Sequence, residues 1–346
     1  MSISLTLIRP DDWHLHVRDG AAMAAVVPHT ARVFGRAIIM PNLPEPVIDA
    51  ARVRNYRERI EKTIPADSGF TPLMTLYLTN ALTPDQVDEA ADAGVVACKL
   101  YPAGATTNSA LGVQDVPALD PVLEAMQRND LRLLVHGEVV DPGVDIFDRE
   151  DRFLSDVLAP LVARHPDLKV VLEHITTARG VDFVRAHAPQ VAGTITPQHL
   201  MLNRNALFEG GLRPHHYCLP VLKRETDRRR LVEAATSGEA AFFLGTDSAP
   251  HPVGAKLCDG GCAGVYSAHA ALELYAEVFE AHGALDQLEA FASLNGPAFY
   301  GLPVNRGTVT LVRESWPVPD AYPFGDSTVV PFRAGGTVSW RVAEAA

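Results

Sequence analysis

Histidine and aspartate residues stand at the ends of several apolar runs of this sequence, where they could bind a metal ion. His14 and His16 are two residues apart, a spacing that puts both side chains on the same side of a strand. His136, His174 and Asp247 each close or follow a later apolar run. Imidazole nitrogens and a carboxylate oxygen are ligands that Zn²⁺ accepts. An HxH pair alone is weak evidence, but the joint placement of all five residues predicts a zinc site.

Lys99 closes another apolar run, VVACKLYP. An isolated lysine in such a context usually extends its ammonium group to solvent. A lysine that is desolvated beside cations has a lowered pKa and becomes a nucleophilic amine. Such an amine can take up CO₂ to form a carbamate, which is an anionic ligand able to bridge two metal ions. Lys99 is therefore a candidate bridging ligand.

Eight short apolar runs must position these residues. The runs cover residues 11–18, 36–42, 71–79, 94–102, 132–138, 168–175, 191–200 and 240–250. Stretches with helical character separate them, including residues 46–62, 83–93 and 224–238. Near-continuous apolar strands that alternate with helices indicate a parallel sheet covered on both faces. Eight such units in about 250 residues favour a (β/α)8 TIM barrel, in which all strands end at one catalytic face.

The 346 residues are expected to form a barrel over residues 1–300 and a short C-terminal extension over residues 301–346, packed on the barrel. Within the extension, residues 307–316 and 335–346 look like strands, and a proline-rich stretch lies between them. No GxGxxG motif follows an early strand, so a dinucleotide-binding sheet is not supported.

Composition and charge exclude several classes of protein. Hydrophobic residues make up 47% and charged residues 21%, which predicts a large core. A net charge of −12 argues against nucleic-acid binding. The absence of a signal peptide, of a long apolar run and of a basic amphipathic stretch argues against membrane association. Four scattered cysteines are too few for a disulfide framework, so a cytoplasmic protein is expected.

Six motifs make the sequence resemble the dihydroorotase family. They are HLHVRDG (14–20), IIMPNLPEP (38–46), KLYPAGATTNS (99–109), HGE (136–138), EHIT (173–176) and GTDSAPH (245–251). The resemblance is to the compact, single-function bacterial type within the amidohydrolase superfamily. It implies a hydrolase that reversibly opens the cyclic amide of (S)-dihydroorotate to give N-carbamoyl-L-aspartate in de novo pyrimidine (UMP) biosynthesis. It also implies that the enzyme is a homodimer.

The resemblance also implies a binuclear metal site with two Zn²⁺ per subunit. Its ligands would be His14, His16, Lys99, His136, His174 and Asp247. One ion would lie between the HxH pair and Asp247, and the other on the two remaining histidines. Carboxylated Lys99 (N6-carboxylysine) and a hydroxide would bridge the ions. Asp247 would be the catalytic residue, acting as base towards the hydroxide and as acid towards the leaving amide nitrogen.

A second set of residues is implied to bind the small-molecule substrate. It comprises His16, Arg18, Asn42, Thr106, Thr107, His136, Leu219, His251 and Ala263. Arg18, Asn42 and His251 would hold the substrate carboxylate, since a planar guanidinium matches a carboxylate through two hydrogen bonds. The backbone at Leu219 and Ala263 would contact the pyrimidine ring. The two threonines would belong to a mobile loop that closes over it.

Two alternative functions are weighed against this one. A hydantoinase, dihydropyrimidinase or phosphotriesterase relative would use the same metal pair on neutral rings or esters, and would not need Arg18 and Asn42. An inactive dihydroorotase-like partner protein would have lost metal ligands, whereas this chain has the full set. His199 is left out of the metal set because both ions are already supplied. The CxxxC pair Cys258 and Cys262 is expected to lie in a loop.

Overall fold

Eight parallel strands form the centre of the computed structural model, which describes residues 3–343. A first short strand, β1, covers Ser4–Ile8. The eight central strands are β2 (Asp11–Leu15), β3 (Arg36–Ile39), β4 (Thr71–Tyr77), β5 (Val95–Leu100), β6 (Arg132–His136), β7 (Val170–Glu173), β8 (Val191–Ile195) and β9 (Phe242–Leu244). They lie side by side in chain order, and a parallel bridge from Leu15 to Ser248 joins the first to the segment after the last. Each predicted run contains one strand, and the predicted TIM barrel is confirmed.

Helices surround the barrel and link its strands. They are α1 (Gly20–Ala31), α2 (Ala50–Glu61), α3 (Pro84–Asp92), α4 (Asp120–Arg128), α5 (Arg149–Phe153), α6 (Ala159–Arg164), α7 (Ala178–His187), α8 (Pro197–Met201), α9 (Glu225–Thr236), α10 (Val253–Lys256), α11 (Ala271–Ala281) and α12 (Asn295–Tyr300). The three stretches predicted to be helical contain α2, α3 and α9. Helix α3 begins with a capping box, in which the Thr83 hydroxyl accepts from the Gln86 amide and the Gln86 side chain accepts from the Thr83 amide. No helix within residues 3–343 is long and apolar enough to cross a membrane.

Strand residues alternate between the barrel interior and the helical layer. In β6, Leu134 belongs to the interior cluster, whereas Leu133 and Val135 pack into the larger core between strands and helices. Because side chains on one face of a strand recur every second residue, His136 also faces the interior, at the carboxyl end of β6. The same alternation brings polar side chains from other strands to that end of the barrel.

The interior is closed at its amino-terminal end by aromatic rings. The rings of Trp13 and Tyr300 stack with centroids 4.3 Å apart. A Cβ atom on Gly296 would lie only 2.0 Å from Trp13 Nε1, so this position has no room for a side chain.

We therefore expect Gly296→Ala to lower the free energy of unfolding by about 1–3 kcal/mol, the usual cost of overpacking a core. Urea denaturation checks this result. Gly260→Ala is the control, because no atom lies within 4 Å of the added Cβ there. Equal stability of the two variants would contradict the packing argument.

The N-terminal strand lies with the C-terminal segment and outside the barrel. Strand β1 pairs antiparallel with β10 (Thr308–Val312), and β10 pairs with the last strand. The remaining strands are β11 (Trp316–Pro317), β12 (Tyr322–Phe324), β13 (Ser327–Val329), β14 (Thr337–Val338) and β15 (Arg341–Val342). Strands β10, β14 and β15 lie within the two stretches expected to be strands, and β11 begins at the last residue of the first, Trp316. Strands β12 and β13 pair with each other inside the proline-rich stretch, which the sequence analysis did not assign to strands. Residues 344–346 fall outside the described part of the chain.

Candidate active site

Side chains from the carboxyl ends of the barrel strands converge on one cavity. Lys99 and His136 each follow an interior residue, Ala97 and Leu134, by two positions and so point inward. The cavity is lined by His14, His16, Arg18, Asn42, Tyr101, Thr106, Thr107, His136, His174, Leu219, Asp247, Ala249, Ala263 and Gly264. Lys99 and His251 lie just behind this lining. The structure thus brings together every residue that the sequence predicts for the site, and adds Tyr101, which the sequence analysis missed.

Nitrogen and carboxylate ligand atoms lie closest together at the HxH pair. His14 Nε2 is 3.2 Å from His16 Nε2 and 3.3 Å from Asp247 Oδ1. His16 Nε2 is 3.1 Å from the same carboxylate oxygen. His174 contributes to this group, since ligand atoms of His14, His174 and Asp247 all lie within 4.8 Å of one another. The His136 ring lies beside this group, and its centroid is 4.9 Å from the centroid of the His174 ring.

The protonation states of these residues suit a cation. Burial lowers the pKa of His16 to about 4, and burial with nearby Lys99 lowers the pKa of His174 well below its usual value, so both are neutral at pH 7. Burial alone would raise the pKa of Asp247, but the neighbouring histidines outweigh it and lower the value to about 2. The facing ring nitrogens of His14 and His16 are 3.2 Å apart, and two such nitrogens point lone pairs at each other unless one carries a proton. A metal ion beside the carboxylate relieves that repulsion, so the residues present fit a metal.

Two buried glutamates contact the metal-ligand candidates, and the sequence analysis assigned neither. Glu173 accepts from Lys99 Nζ, and its other oxygen lies 3.1 Å from His14 Nδ1. With the carboxylate on this side of the ring, His14 Nε2 is the nitrogen that faces the cluster. Glu138 Oε2 lies 2.8 Å from His136 Nε2. Both glutamates stand inside the quoted motifs EHIT and HGE, which is the signal that could have found them.

Lys99 is fully buried among these groups. Its ammonium lies 4.8 Å from the centre of the Tyr101 ring and contacts the Glu173 carboxylate. Burial lowers the pKa of Lys99, although Glu173 opposes this effect. A lowered pKa makes the neutral, nucleophilic amine more accessible.

Three site residues have a left-handed backbone, which non-glycine residues rarely adopt. The φ angles are 60° at Arg18 and 43° at both His174 and Asp247. Each is held by a specific hydrogen bond. The His174 amide donates to Thr194 Oγ1 (2.8 Å), the Asp247 amide donates to the His14 carbonyl (2.9 Å), and the Tyr56 hydroxyl donates to the Arg18 carbonyl (2.8 Å). Such strain costs on the order of 1–3 kcal/mol per residue and is concentrated at functional sites.

A guanidinium without an acidic partner lies at one side of the cavity. Arg18 Nε donates to the Pro250 carbonyl (2.8 Å), and its terminal nitrogen lies 2.9 Å from His251 Nε2. That same His251 nitrogen is 3.0 Å from the Ala263 carbonyl. A guanidinium only donates and a carbonyl only accepts, so one tautomer of His251 satisfies one of the two contacts. Within residues 3–343 no carboxylate lies within ion-pair distance of Arg18, which leaves its positive charge available to a bound anion.

The predicted loop lies against the cavity. Asn42 Nδ2 donates to the Thr107 carbonyl (3.0 Å), and Asn108 Nδ2 donates back to the Asn42 carbonyl (2.9 Å). Ser109 Oγ accepts from the Thr106 amide at 2.8 Å. These contacts tie the loop to the end of β3 and bring both threonines to the cavity wall.

The polar residues left out of the metal set, His199, Cys258 and Cys262, do not line the cavity. His199 has both ring nitrogens engaged, with Nδ1 2.7 Å from Thr196 Oγ1 and Nε2 3.0 Å from the Pro220 carbonyl. Cys258 is exposed and Cys262 is partly exposed. Within residues 3–343 neither cysteine belongs to a group of side chains close enough to hold a metal ion.

Comparison with known proteins agrees with this geometry. The pattern of the amidohydrolase family matches residues 3–311. A dihydroorotase of Aromatoleum aromaticum is 62% identical over 341 residues, which cover 98% of this chain and 99% of that protein. The chain belongs to the dihydroorotase family. A dihydroorotase structure from Campylobacter jejuni superimposes with a TM-score of 0.92 at 36% identity, covering 99% of this chain and 98% of that one. A dihydroorotase from Saccharomyces cerevisiae in complex with 5-fluoroorotic acid gives 0.91 at 36% identity, covering 98% of both chains.

Membership of the dihydroorotase family confirms the resemblance and the hydrolase class predicted from the six motifs. The family also implies a metal cofactor, in agreement with the cluster of His14, His174 and Asp247.

Proposed function

We propose that the chain reversibly hydrolyses the cyclic amide of (S)-dihydroorotate to N-carbamoyl-L-aspartate, the dihydroorotase step of de novo pyrimidine biosynthesis. The observation that carries this proposal is the Arg18 guanidinium, which shares a cavity with the metal-ligand cluster and has no carboxylate partner within residues 3–343. Such a cavity suits a ring that bears its own carboxylate. The yeast relative supports the same reading, because 5-fluoroorotic acid is a pyrimidine carboxylate.

The proposed cofactor is a pair of Zn²⁺ ions in each subunit. His14, His16 and Asp247 would hold one ion, His136 and His174 would hold the other, and carboxylated Lys99 together with a hydroxide would bridge them. Bound zinc supplies an acidified water and a polarised carbonyl. The burial of Lys99 supports its carboxylation, since a neutral amine is the form that attacks CO₂.

Asp247 is the proposed proton carrier. Its carboxylate is charged at neutral pH and lies against the imidazoles of the cluster, so it can accept a proton from the attacking water. The protonated acid can then deliver that proton to the leaving amide nitrogen. One side chain thus serves as base and then as acid.

The remaining cavity residues are proposed to bind the substrate. Arg18, Asn42 and His251 would hold the carboxylate, and the backbone at Leu219 and Ala263 would contact the ring. The substrate set also includes His16, Thr106, Thr107 and His136. The two threonines lie on the loop that contacts Asn42, which supports a role in covering bound substrate and excluding water.

The deciding experiment offers dihydroorotate, dihydrouracil and hydantoin side by side to metal-loaded protein. Turnover of dihydroorotate alone is the expected result. Turnover of the neutral rings would retain the metal chemistry and overturn the substrate assignment. No turnover of any of the three substrates, with two zinc ions bound, would favour another hydrolytic substrate or an inactive partner protein.

Arg18→Met is expected to lower kcat/KM for dihydroorotate by about 10²- to 10³-fold, because two charge-assisted hydrogen bonds to the carboxylate are lost. Any slow turnover of dihydrouracil should change little, since that ring has no carboxylate. Steady-state kinetics on both substrates checks this difference. Arg128→Met is the control, because Arg128 is exposed and pairs with Asp88 at the carboxyl end of α4, away from the cavity. Unchanged kinetics in Arg18→Met would remove the carboxylate role.

The organisation of the protein is also part of the proposal. The barrel over residues 1–300 would carry the site, and the extension over residues 301–346 would pack on it, joined by the pairing of β1 with β10. A homodimer and a cytoplasmic location remain proposals that follow from the family resemblance and the composition. Light scattering of the purified chain tests the dimer.

A further inference from the structure

Lys256 is a buried lysine that the proposed chemistry does not use. It is the last residue of α10, and only 5% of its surface is exposed. Its ammonium donates to the Tyr217 carbonyl (2.7 Å) and to the Gly264 carbonyl (2.8 Å). No carboxylate within residues 3–343 lies within ion-pair distance of it. A buried lysine without an acidic partner is costly, so the two carbonyls are its main compensation.

The two carbonyls belong to the segments that form one wall of the cavity. Tyr217 precedes Leu219 by two residues, and Gly264 directly follows Ala263; Leu219, Ala263 and Gly264 all line the cavity. The Gly264 amide also donates to the Tyr217 carbonyl (2.9 Å), so the segments touch directly at a single backbone bond. Lys256 adds a bond to each segment from one nitrogen atom.

Glycine at position 264 makes this contact possible. Its φ of +153° and the lack of a Cβ allow the chain to pass the Ala249 carbonyl, which would lie 2.4 Å from an added Cβ. Residues 263–264 can therefore pack directly against the backbone of Ala249. A tripod of ammonium donors is suited to holding such a segment, because it satisfies two carbonyls without adding bulk at either.

We propose that Lys256 is a positioning residue whose ammonium fixes the spacing between residues 217–219 and 263–264, and so sets the affinity of the site for its ring substrate. This inference rests on the proposed function, because it takes Leu219 and Ala263 as the ring contacts. The positive charge of Lys256 additionally favours an anionic ligand in the neighbouring cavity. Burial lowers the pKa of Lys256 to about 8, which agrees with an ammonium held mainly by carbonyl groups.

The test compares Lys256→Met, Lys256→Gln and Lys256→Arg in the metal-loaded full chain. Lys256→Met should raise KM for dihydroorotate about tenfold while kcat stays within about twofold, the pattern of lost ground-state binding. Zinc content should equal that of the wild type, since Lys256 contacts no proposed ligand. Lys256→Arg retains a cation with several donors and should recover most of the affinity. The KM of Lys256→Gln should lie between those of the Met and Arg variants. If Lys256→Met does not fold, the comparison of Lys256→Gln with Lys256→Arg tests the inference instead.

Lys223→Met is the matched control. Lys223 is also a buried lysine, 3% exposed, but it donates only to the Val221 carbonyl (3.0 Å) and does not reach the 263–264 segment. Its KM for dihydroorotate should stay at the wild-type value even if its thermal midpoint falls. An equal rise of KM in both Met variants, or an unchanged KM in Lys256→Met, would overturn the inference.

A binding measurement separates this inference from the proposed function. The Kd of 5-fluoroorotate, measured by calorimetry, should rise in Lys256→Met in parallel with KM. If the wild type binds this ligand but does not hydrolyse dihydroorotate, the proposed function fails and the Kd values alone decide the role of Lys256. If the wild type neither binds nor hydrolyses, both the proposed function and the inference are wrong.

Discussion

Replacing Lys99 with alanine is expected to reduce dihydroorotate turnover by about 10³-fold or more, the scale on which one preorganised catalytic group acts. The side chain is fully buried between Glu173 and the Tyr101 ring, and its proposed carbamate is the only anionic bridge that the chain itself would supply to both ions. Loss of that bridge should also lower the zinc content below two ions per subunit. Steady-state kinetics and elemental analysis of the same preparation check both effects.

Chemical rescue distinguishes a lost bridge from general damage. The cavity left by Lys99→Ala has space for a small carboxylate, so added acetate or propionate should restore part of the turnover. Lys223→Ala is the control, because Lys223 is equally buried but lies outside the cluster. That variant should show no response to acetate. Near wild-type turnover of Lys99→Ala without any additive would exclude the bridging role.

The barrel could be predicted because its strands are buried on both faces. In the run that contains β6, Leu133 and Val135 pack against the helices while Leu134 fills the interior, so the run is apolar without interruption. The helix starts could also be read locally, since the capping box of α3 lies within four consecutive residues. Short-range patterns of this kind depend only on neighbours in the chain.

The pairing of the two chain ends had no local signal. Leu5 lies opposite Leu311 in the antiparallel pair of β1 and β10, about 300 residues apart in sequence. Either segment alone is a short apolar stretch that could join any open sheet edge. Its partner is set by where the last helix leaves the barrel, and single-sequence patterns do not carry that information.

The sequence could predict only those site residues whose type and place at a strand end indicate metal binding. His14, His136, His174 and Asp247 stand where strands end, and the barrel brings strand ends together. Glu173 was missed because its role depends on strand register. Lys99 lies opposite Leu134, and Leu134 lies opposite Val171, so Glu173 reaches the ammonium of Lys99 only across two strand pairs. The left-handed backbone at His174 and Asp247 could not be predicted either, since it is held by hydrogen bonds to Thr194 and His14, which are far from them in sequence.

Asp247→Asn is expected to lower kcat by about 10²- to 10⁴-fold, the usual range for losing a general acid–base group. The substitution retains the shape of the side chain and removes its negative charge. Asp11→Asn is the matched control. Asp11 is also a buried carboxylate, but it pairs with Arg36 at the amino-terminal ends of β2 and β3, away from the cavity. Its loss should therefore lower stability and leave turnover intact.

Metal titration then separates the two roles proposed for Asp247. Its carboxylate lies 3.3 Å from His14 Nε2 and 3.1 Å from His16 Nε2, so the variant should also bind zinc more weakly at this position. Excess zinc should restore the metal content but not kcat, because an amide can neither accept the proton of the attacking water nor return it to the leaving nitrogen. Recovery of wild-type turnover at saturating zinc would mean that Asp247 is a ligand alone, and another group would then have to carry the proton.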